Sequence, residues 1–90
     1  MSVTRSVVIA NRRGLHARAS AKFVTLASTQ PCEVQVEKEP GSAVAGTSIM
    51  GLMMLGAAMG DTITISADGN EAGVAVDALC ELVEAKFGED

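Results

Sequence analysis

The chain has 90 residues, 48% of them apolar, with only two aromatics, Phe23 and Phe87, and a formal net charge of −4. That length makes one small domain, residues 1–90, and the high apolar content argues against disorder. Two distant cysteines (Cys32 and Cys80) and a single histidine give no metal-ligand spacing, and the run Val7-Val8-Ile9-Ala10 is too short for a secretory signal, so the reading is a soluble cytoplasmic protein with reduced thiols, no cofactor and no membrane span.

Val3, Arg5, Val7 and Ile9 alternate with Thr4, Ser6, Val8 and Ala10, which predicts a strand with one face more buried. Asn11 to Gly14 is a loop. From His16 to about Ser28 the residues Ala17, Ala21, Val24 and Ala27 recur at helical spacing, with Phe23 and Leu26 widening the stripe, until Thr29-Gln30-Pro31 stops the helix. Cys32, Val34 and Val36 alternate with Glu33, Gln35 and Glu37, a half-buried strand. Pro40-Gly41 marks a turn, and residues 43–45 can form a short returning strand.

Gly46-Thr47-Ser48 offers a helix N-cap before the apolar segment Ile49 to Leu55. Gly60-Asp61 is a turn, and Thr62 to Ala67 a strand with Ile63 and Ile65 inward. Asp68-Gly69-Asn70 reads as a turn and cap. The last helix runs from about Glu71 to Phe87 on the stripe Val76, Leu79, Cys80, Val83 and Phe87, closed by Gly88. The order β-α-β-β-α-β-α predicts an α+β fold, an antiparallel sheet with helices on one face.

Charge is unevenly spread. Arg5, Arg12, Arg13, Arg18 and Lys22 supply five of the seven basic residues, and all eleven acids come from Glu33 onward. The basic end is centred on His16, the only histidine. An acidic total with no aromatics among the arginines argues against nucleic acid; a local basic patch suits a phosphorylated or acidic partner.

His16 follows Gly14 and Leu15 where a strand hands over to a helix. Imidazole is the side chain whose ordinary pKa lies nearest neutrality, so it can act as nucleophile or base. A helix N-terminus adds unpaired N–H groups and a positive dipole end that hold phosphate. Arg18, in the first turn, can grip phosphate oxygens in a bidentate way. The residues therefore point to an imidazole that carries a phosphoryl group, with the amides of Ala17 and Arg18 contacting the phosphate.

A second constellation lies at Gly46 to Leu52. Thr47 or Ser48 caps the helix, and a mid-helix Gly51 implies close approach by the sheet or a partner. The run is more apolar than one buried stripe needs, so part of it lies at the surface. Thr47, Ile49, Met50, Leu52 and Met53 are the candidate partner-binding residues, pliable methionines suiting a docking face. Cys80 reads as inert core.

The segment Gly14-Leu15-His16-Ala17-Arg18 resembles the active-site signature of the HPr family, the histidine phosphocarriers of the bacterial phosphoenolpyruvate-dependent phosphotransferase system. Thr47 to Gly56 resembles that family's second signature, around a regulatory serine. The resemblance covers essentially the whole chain. It implies an open-faced β-sandwich of four antiparallel strands under three helices, and a phosphocarrier, not an enzyme. His16 would take phosphate on Nδ1 from phosphorylated enzyme I and pass it to a IIA-type acceptor. Arg18 matches the arginine that stabilises the phosphate. Ser48 matches the serine modified by an HPr kinase/phosphorylase. A monomer that binds neither nucleic acid nor membrane is expected. The competing readings are a purely regulatory module acting through the Met-rich helix and a small-molecule-binding α+β module unrelated to transfer. Where the family usually has proline after the arginine, this chain has Ala19. That alanine and Asn11-Arg12-Arg13 are more similar to nitrogen-type or regulatory relatives than to the sugar-transport archetype.

Overall fold

The structure is a computed structural model in which residues 2–89 are described. Alternation of apolar and polar residues produces β1 (Ser2–Val8), β2 (Glu33–Glu37) and β4 (Thr62–Asp68), and β3 is the short Val44–Ala45. They form one antiparallel sheet in the order β1-β4-β2-β3. The register sets Val7 opposite Ile63 and Val36 opposite Ile65, so their side chains fall on one buried face. The other face is lined by hydroxyls, with Ser6 Oγ 3.2 Å from Thr64 Oγ1.

Helices α1 (Ala17–Ser28), α2 (Ile49–Met54) and α3 (Ala72–Glu84) make the second layer. Helix α3 packs on β1 and β4, while α1 packs against α2 and α3. This is the expected α+β open-faced sandwich. Phe23, Phe87, Ile9, Leu52, Ile63, Ile65 and Leu79 are among the fully buried side chains between the layers. No helix among the described residues is long and apolar enough to cross a membrane.

Three details depart from the expected elements. In α1 the buried residues are Ala19, Ser20, Phe23 and Ala27, whereas Ala17 is exposed and Ala21 and Val24 only partly covered. The buried face includes a serine that an apolar count passes over. The last helix stops at Glu84, not at Phe87; Lys86 and Phe87 adopt positive φ (58° and 55°) and form a 3-10 turn with Gly88. Phe87 still reaches the core, 1% exposed, by this reversal. Helix α3 begins at a left-handed Glu71 with no side-chain cap, so Asp68-Gly69-Asn70 turns the chain without capping it.

Arg5 sits on the covered face of the edge strand, where its guanidinium pairs with Asp77 at 3.2 Å and Glu84 at 3.6 Å on α3. It therefore does not belong to the basic patch at His16.

Candidate functional site

Gly14 has φ +62°, and a Cβ there would lie 2.3 Å from the carbonyl oxygen of Ala57. Only glycine permits this approach. It lets the amide of Leu15 donate to that oxygen at 3.0 Å, hanging the loop on the segment that follows α2. Leu15 is buried and anchors the turn in the core. Asn11 is buried too; its Nδ2 donates to the Gly14 carbonyl and to Glu89 Oε1, each at 2.9 Å.

His16 emerges from this turn as the N-cap of α1, with φ −73° and ψ −179°. Its Nδ1 accepts from the amide of Arg18 at 3.3 Å, and its Nε2 lies 2.8 Å from Glu89 Oε1. A carboxylate can only accept, so Nε2 carries the proton and the lone pair is on Nδ1. That lone pair points at the amides of the first turn. The imidazole is half-buried, 21% exposed, as is the Glu89 side chain at 17%. The hydrogen bonds from His16 and then from Asn11 hold the Glu89 carboxyl below the ordinary carboxylate value.

Ala17 and Arg18, the first two helical residues, are exposed. Among the described residues the Arg18 guanidinium has no acceptor, and neither do those of Arg12 and Arg13. Lys22 is engaged: its Nζ donates to the Phe87 carbonyl at 2.7 Å and fixes the C-terminal turn that delivers Glu89. Glu89 is the residue that sequence reasoning missed. Nothing in the local pattern marks an acid 73 positions away as the partner of the imidazole.

The second constellation lies on α2. Ser48, not Thr47, is the N-cap, its Oγ accepting from Gly51 N at 2.9 Å. The close approach that Gly51 allows is to the sheet and the cap: a Cβ there would lie 3.0 Å from both Val44 Cβ and Ser48 Oγ. Thr47, Ile49, Met50 and Met53 are exposed, and Met54, at 80%, extends the same apolar surface. Leu52 is 0% exposed and belongs to the core, so it is withdrawn from the partner-binding set. Cys80 is buried on α3, where burial pushes its thiol pKa up.

The family described as "PTS HPr component phosphorylation site" matches residues 3–85. The chain belongs to the HPr family. Phosphocarrier protein HPr of Neisseria meningitidis is 49% identical over 85 residues, covering 94% of each chain. Phosphocarrier protein NPr of Shewanella violacea is 46% identical over 85 residues, covering 94% of this chain and 92% of that one. HPr from Thermoanaerobacter tengcongensis superposes with a TM-score of 0.90 at 40% identity, over 98% of both chains. This HPr-family chain is thus a phosphocarrier of the phosphotransferase system, not an enzyme. Relatives named HPr and NPr stand at similar identity to this chain.

Proposed function

We propose that His16 accepts a phosphoryl group on Nδ1 from phosphorylated enzyme I and passes it to a IIA-type acceptor. The observation that carries this reading is the two-sided hold on the imidazole, with Glu89 at Nε2 and the start of α1 at Nδ1. As the donor's bond to phosphorus breaks, the Nδ1 lone pair forms the new P–N bond. The proton stays on Nε2, so the phosphorylated ring is cationic and Glu89 is its counter-charge. In this reading the amides of Ala17 and Arg18 and the unpaired Arg18 guanidinium take the phosphate oxygens. Phosphoryl transfer needs mainly positioning and charge stabilisation, which these groups supply. A cationic ring is also a ready leaving group for the onward step.

Ser48 is proposed as a regulatory phosphorylation site for an HPr kinase/phosphorylase. A phosphate there adds nearly two negative charges beside Thr47, Ile49, Met50 and Met53, the surface offered to partners. The cap position tolerates the charge, so the phosphate acts by repelling acidic partners and spoiling the apolar face. The whole chain is proposed to work as a single cytoplasmic domain and as a monomer. On edge strand β1 the inward Arg5, paired with α3, discourages strand addition. An HPr dimer from Thermoanaerobacter tengcongensis is among the solved relatives, with a TM-score of 0.74.

The test is incubation with phosphoenolpyruvate and enzyme I, followed by mass spectrometry and an acid-lability assay. The expected result is one acid-labile phosphate that His16→Ala abolishes. A folded wild type that gains none from the enzyme I of its own cell overturns the proposal and favours a regulator acting through α2.

A further inference from the structure

The backbone on both sides of His16 is tied to one residue, Ser20. Its Oγ donates to the carbonyl of Leu15 at 3.1 Å, and its amide donates to the carbonyl of His16 at 2.9 Å. The first bond holds the peptide plane before His16 and the second the plane after it. Together they fix the φ and ψ of the phosphoacceptor, and hence the direction in which its side chain leaves the chain. The amide bond belongs to any α-helix; the hydroxyl bond does not.

Two comparisons within the molecule set this hydroxyl apart. Thr25 and Ser28, also on α1, bond back four residues to Ala21 and Val24 along the exposed side of the helix. Ser20 is 0% exposed and reaches five residues back, out of the helix and into the turn that presents His16. Ser20 also occupies the fourth helical position, where a helix start normally places an apolar residue against the one preceding the cap. Here the preceding residue is the buried Leu15, and the contact to it is a hydrogen bond. With Leu15 N–H held by Ala57, that residue is gripped at its amide and its carbonyl.

We infer that Ser20 is a positioning residue for phosphoryl transfer, holding the Leu15–His16 peptide so that Nδ1 faces the first turn of α1. The inference rests on the reading of His16 as phosphoacceptor. Without the hydroxyl, the Leu15 carbonyl loses its partner and the peptide before His16 is held less firmly.

The experiment measures steady-state phosphorylation of the full chain by enzyme I and phosphoenolpyruvate, with this protein as the varied substrate. Ser20→Ala is expected to lower kcat roughly tenfold, as when a reacting group loses its fixed placement, with KM within about twofold of wild type. Val76→Ala, a buried change on α3, is the control for a general loss of stability and should keep its kcat. Ser20→Cys, similar in size with a weak S–H donor, should show the same split in smaller measure, and carries the test if the alanine variant does not fold. An unchanged kcat in the serine variants, or an equal loss in Val76→Ala, overturns the inference and leaves the phosphocarrier reading standing. A folded wild type that takes no phosphate overturns both.

Discussion

Glu89 Oε1 lies 2.8 Å from His16 Nε2, so the C-terminal turn completes a site whose other parts come from the first helix. Three contacts put the carboxylate there. Phe87 plugs the core, Lys22 holds the Phe87 carbonyl, and Asn11 donates to Glu89. The carboxylate keeps the proton on Nε2 and leaves the lone pair on Nδ1, the atom proposed to take the phosphate.

Removing that carboxylate should therefore change the tautomer as well as the rate. In Glu89→Ala, the ring 15N shifts of His16 should show a mixture of Nδ1–H and Nε2–H forms where wild type shows Nε2–H. Phosphorylation by enzyme I should slow roughly tenfold, the rate equivalent of losing one charge-assisted hydrogen bond at a partly screened site. Glu89→Gln keeps an acceptor oxygen and should retain the tautomer while losing the counter-charge. A Glu89→Ala variant with wild-type tautomer and rate would remove Glu89 from the mechanism.

Acid should weaken the fold through two carboxylates. The Glu89 carboxyl is held below its ordinary 4.5 by His16 and then Asn11, and that of Asp61 below its ordinary 3.8 by the Ala58 amide and then Lys38. A carboxyl that is more acidic folded than unfolded contributes stability above its unfolded value, lost as pH falls through the folded value. Melting temperature should therefore be flat near neutrality and fall below about pH 4.5. In an Asp61→Asn/Glu89→Gln double variant that fall should be shallower, with a lower plateau at pH 7. A double variant with the wild-type slope would assign the acid transition to other groups.

Ser48 and its substitutes should separate capping from regulation. Ser48→Ala removes the acceptor for Gly51 N and should cost about 1 kcal/mol, a drop in Tm of about 4–8 °C for a domain of this size. Ser48→Asp keeps an acceptor at the cap and favours the helix dipole, so its Tm should stay close to wild type. If Ser48→Asp melted as early as Ser48→Ala, phosphate at this position would act by loosening α2 instead of altering its docking face.

Helix α2 should divide cleanly between surface and core. Met50 is 69% exposed and Leu52 0%, two residues apart on a helix of six. Met50→Asp should change stability by no more than about 0.5 kcal/mol while weakening association with enzyme I, measured by calorimetry. Leu52→Ala should cost about 2–5 kcal/mol through loss of core packing. An association constant untouched by Met50→Asp would take that methionine out of the docking face.

Much of this molecule was legible because its signals are local. The period-two runs at 62–67 and 33–37 gave their strands, and Gly14-Leu15-His16 announced a turn feeding a helix N-terminus. The failures share a cause. In α1, alanine is compatible with either face, so Ala17 and Ala21 looked as apolar as Ala19, and Ser20 looked polar; tertiary packing chose the face through Phe23. Phe87 continues the Val83 stripe at helical spacing, which hid a reversal at Lys86 and Phe87 that brings the aromatic into the core by another path. Glu89 acquires its meaning only from contacts across the whole chain, which no window of sequence contains. Leu52 and Met53 are both apolar neighbours, and only the packing of α2 against α1 and β3 distinguishes them.

Of the glycines, Gly14 has the closest neighbouring backbone. Its backbone is in the left-handed region, where a Cβ costs about 1–2 kcal/mol. The Cβ would also lie 2.3 Å from the Ala57 oxygen and 2.8 Å from Ala58 Cα, both backbone atoms that cannot swing aside. The 57–61 segment cannot easily retreat either. Ala58 N–H bonds Asp61 Oδ2, Asp61 N–H bonds the Ala58 carbonyl, and Lys38 reaches both Asp61 Oδ2 and the Gly56 carbonyl. Ile9 N–H bonds the Asp61 carbonyl at 2.8 Å and locks the turn to the end of β1. In Gly14→Ala the His16 turn must therefore lift away, breaking the Leu15–Ala57 bond that lies one residue before His16, the proposed phosphoacceptor. The variant should melt at least about 8 °C below wild type and, where still folded at low temperature, accept phosphate slowly. A Gly14→Ala protein with wild-type melting and transfer would mean that the turn does not rest on Ala57.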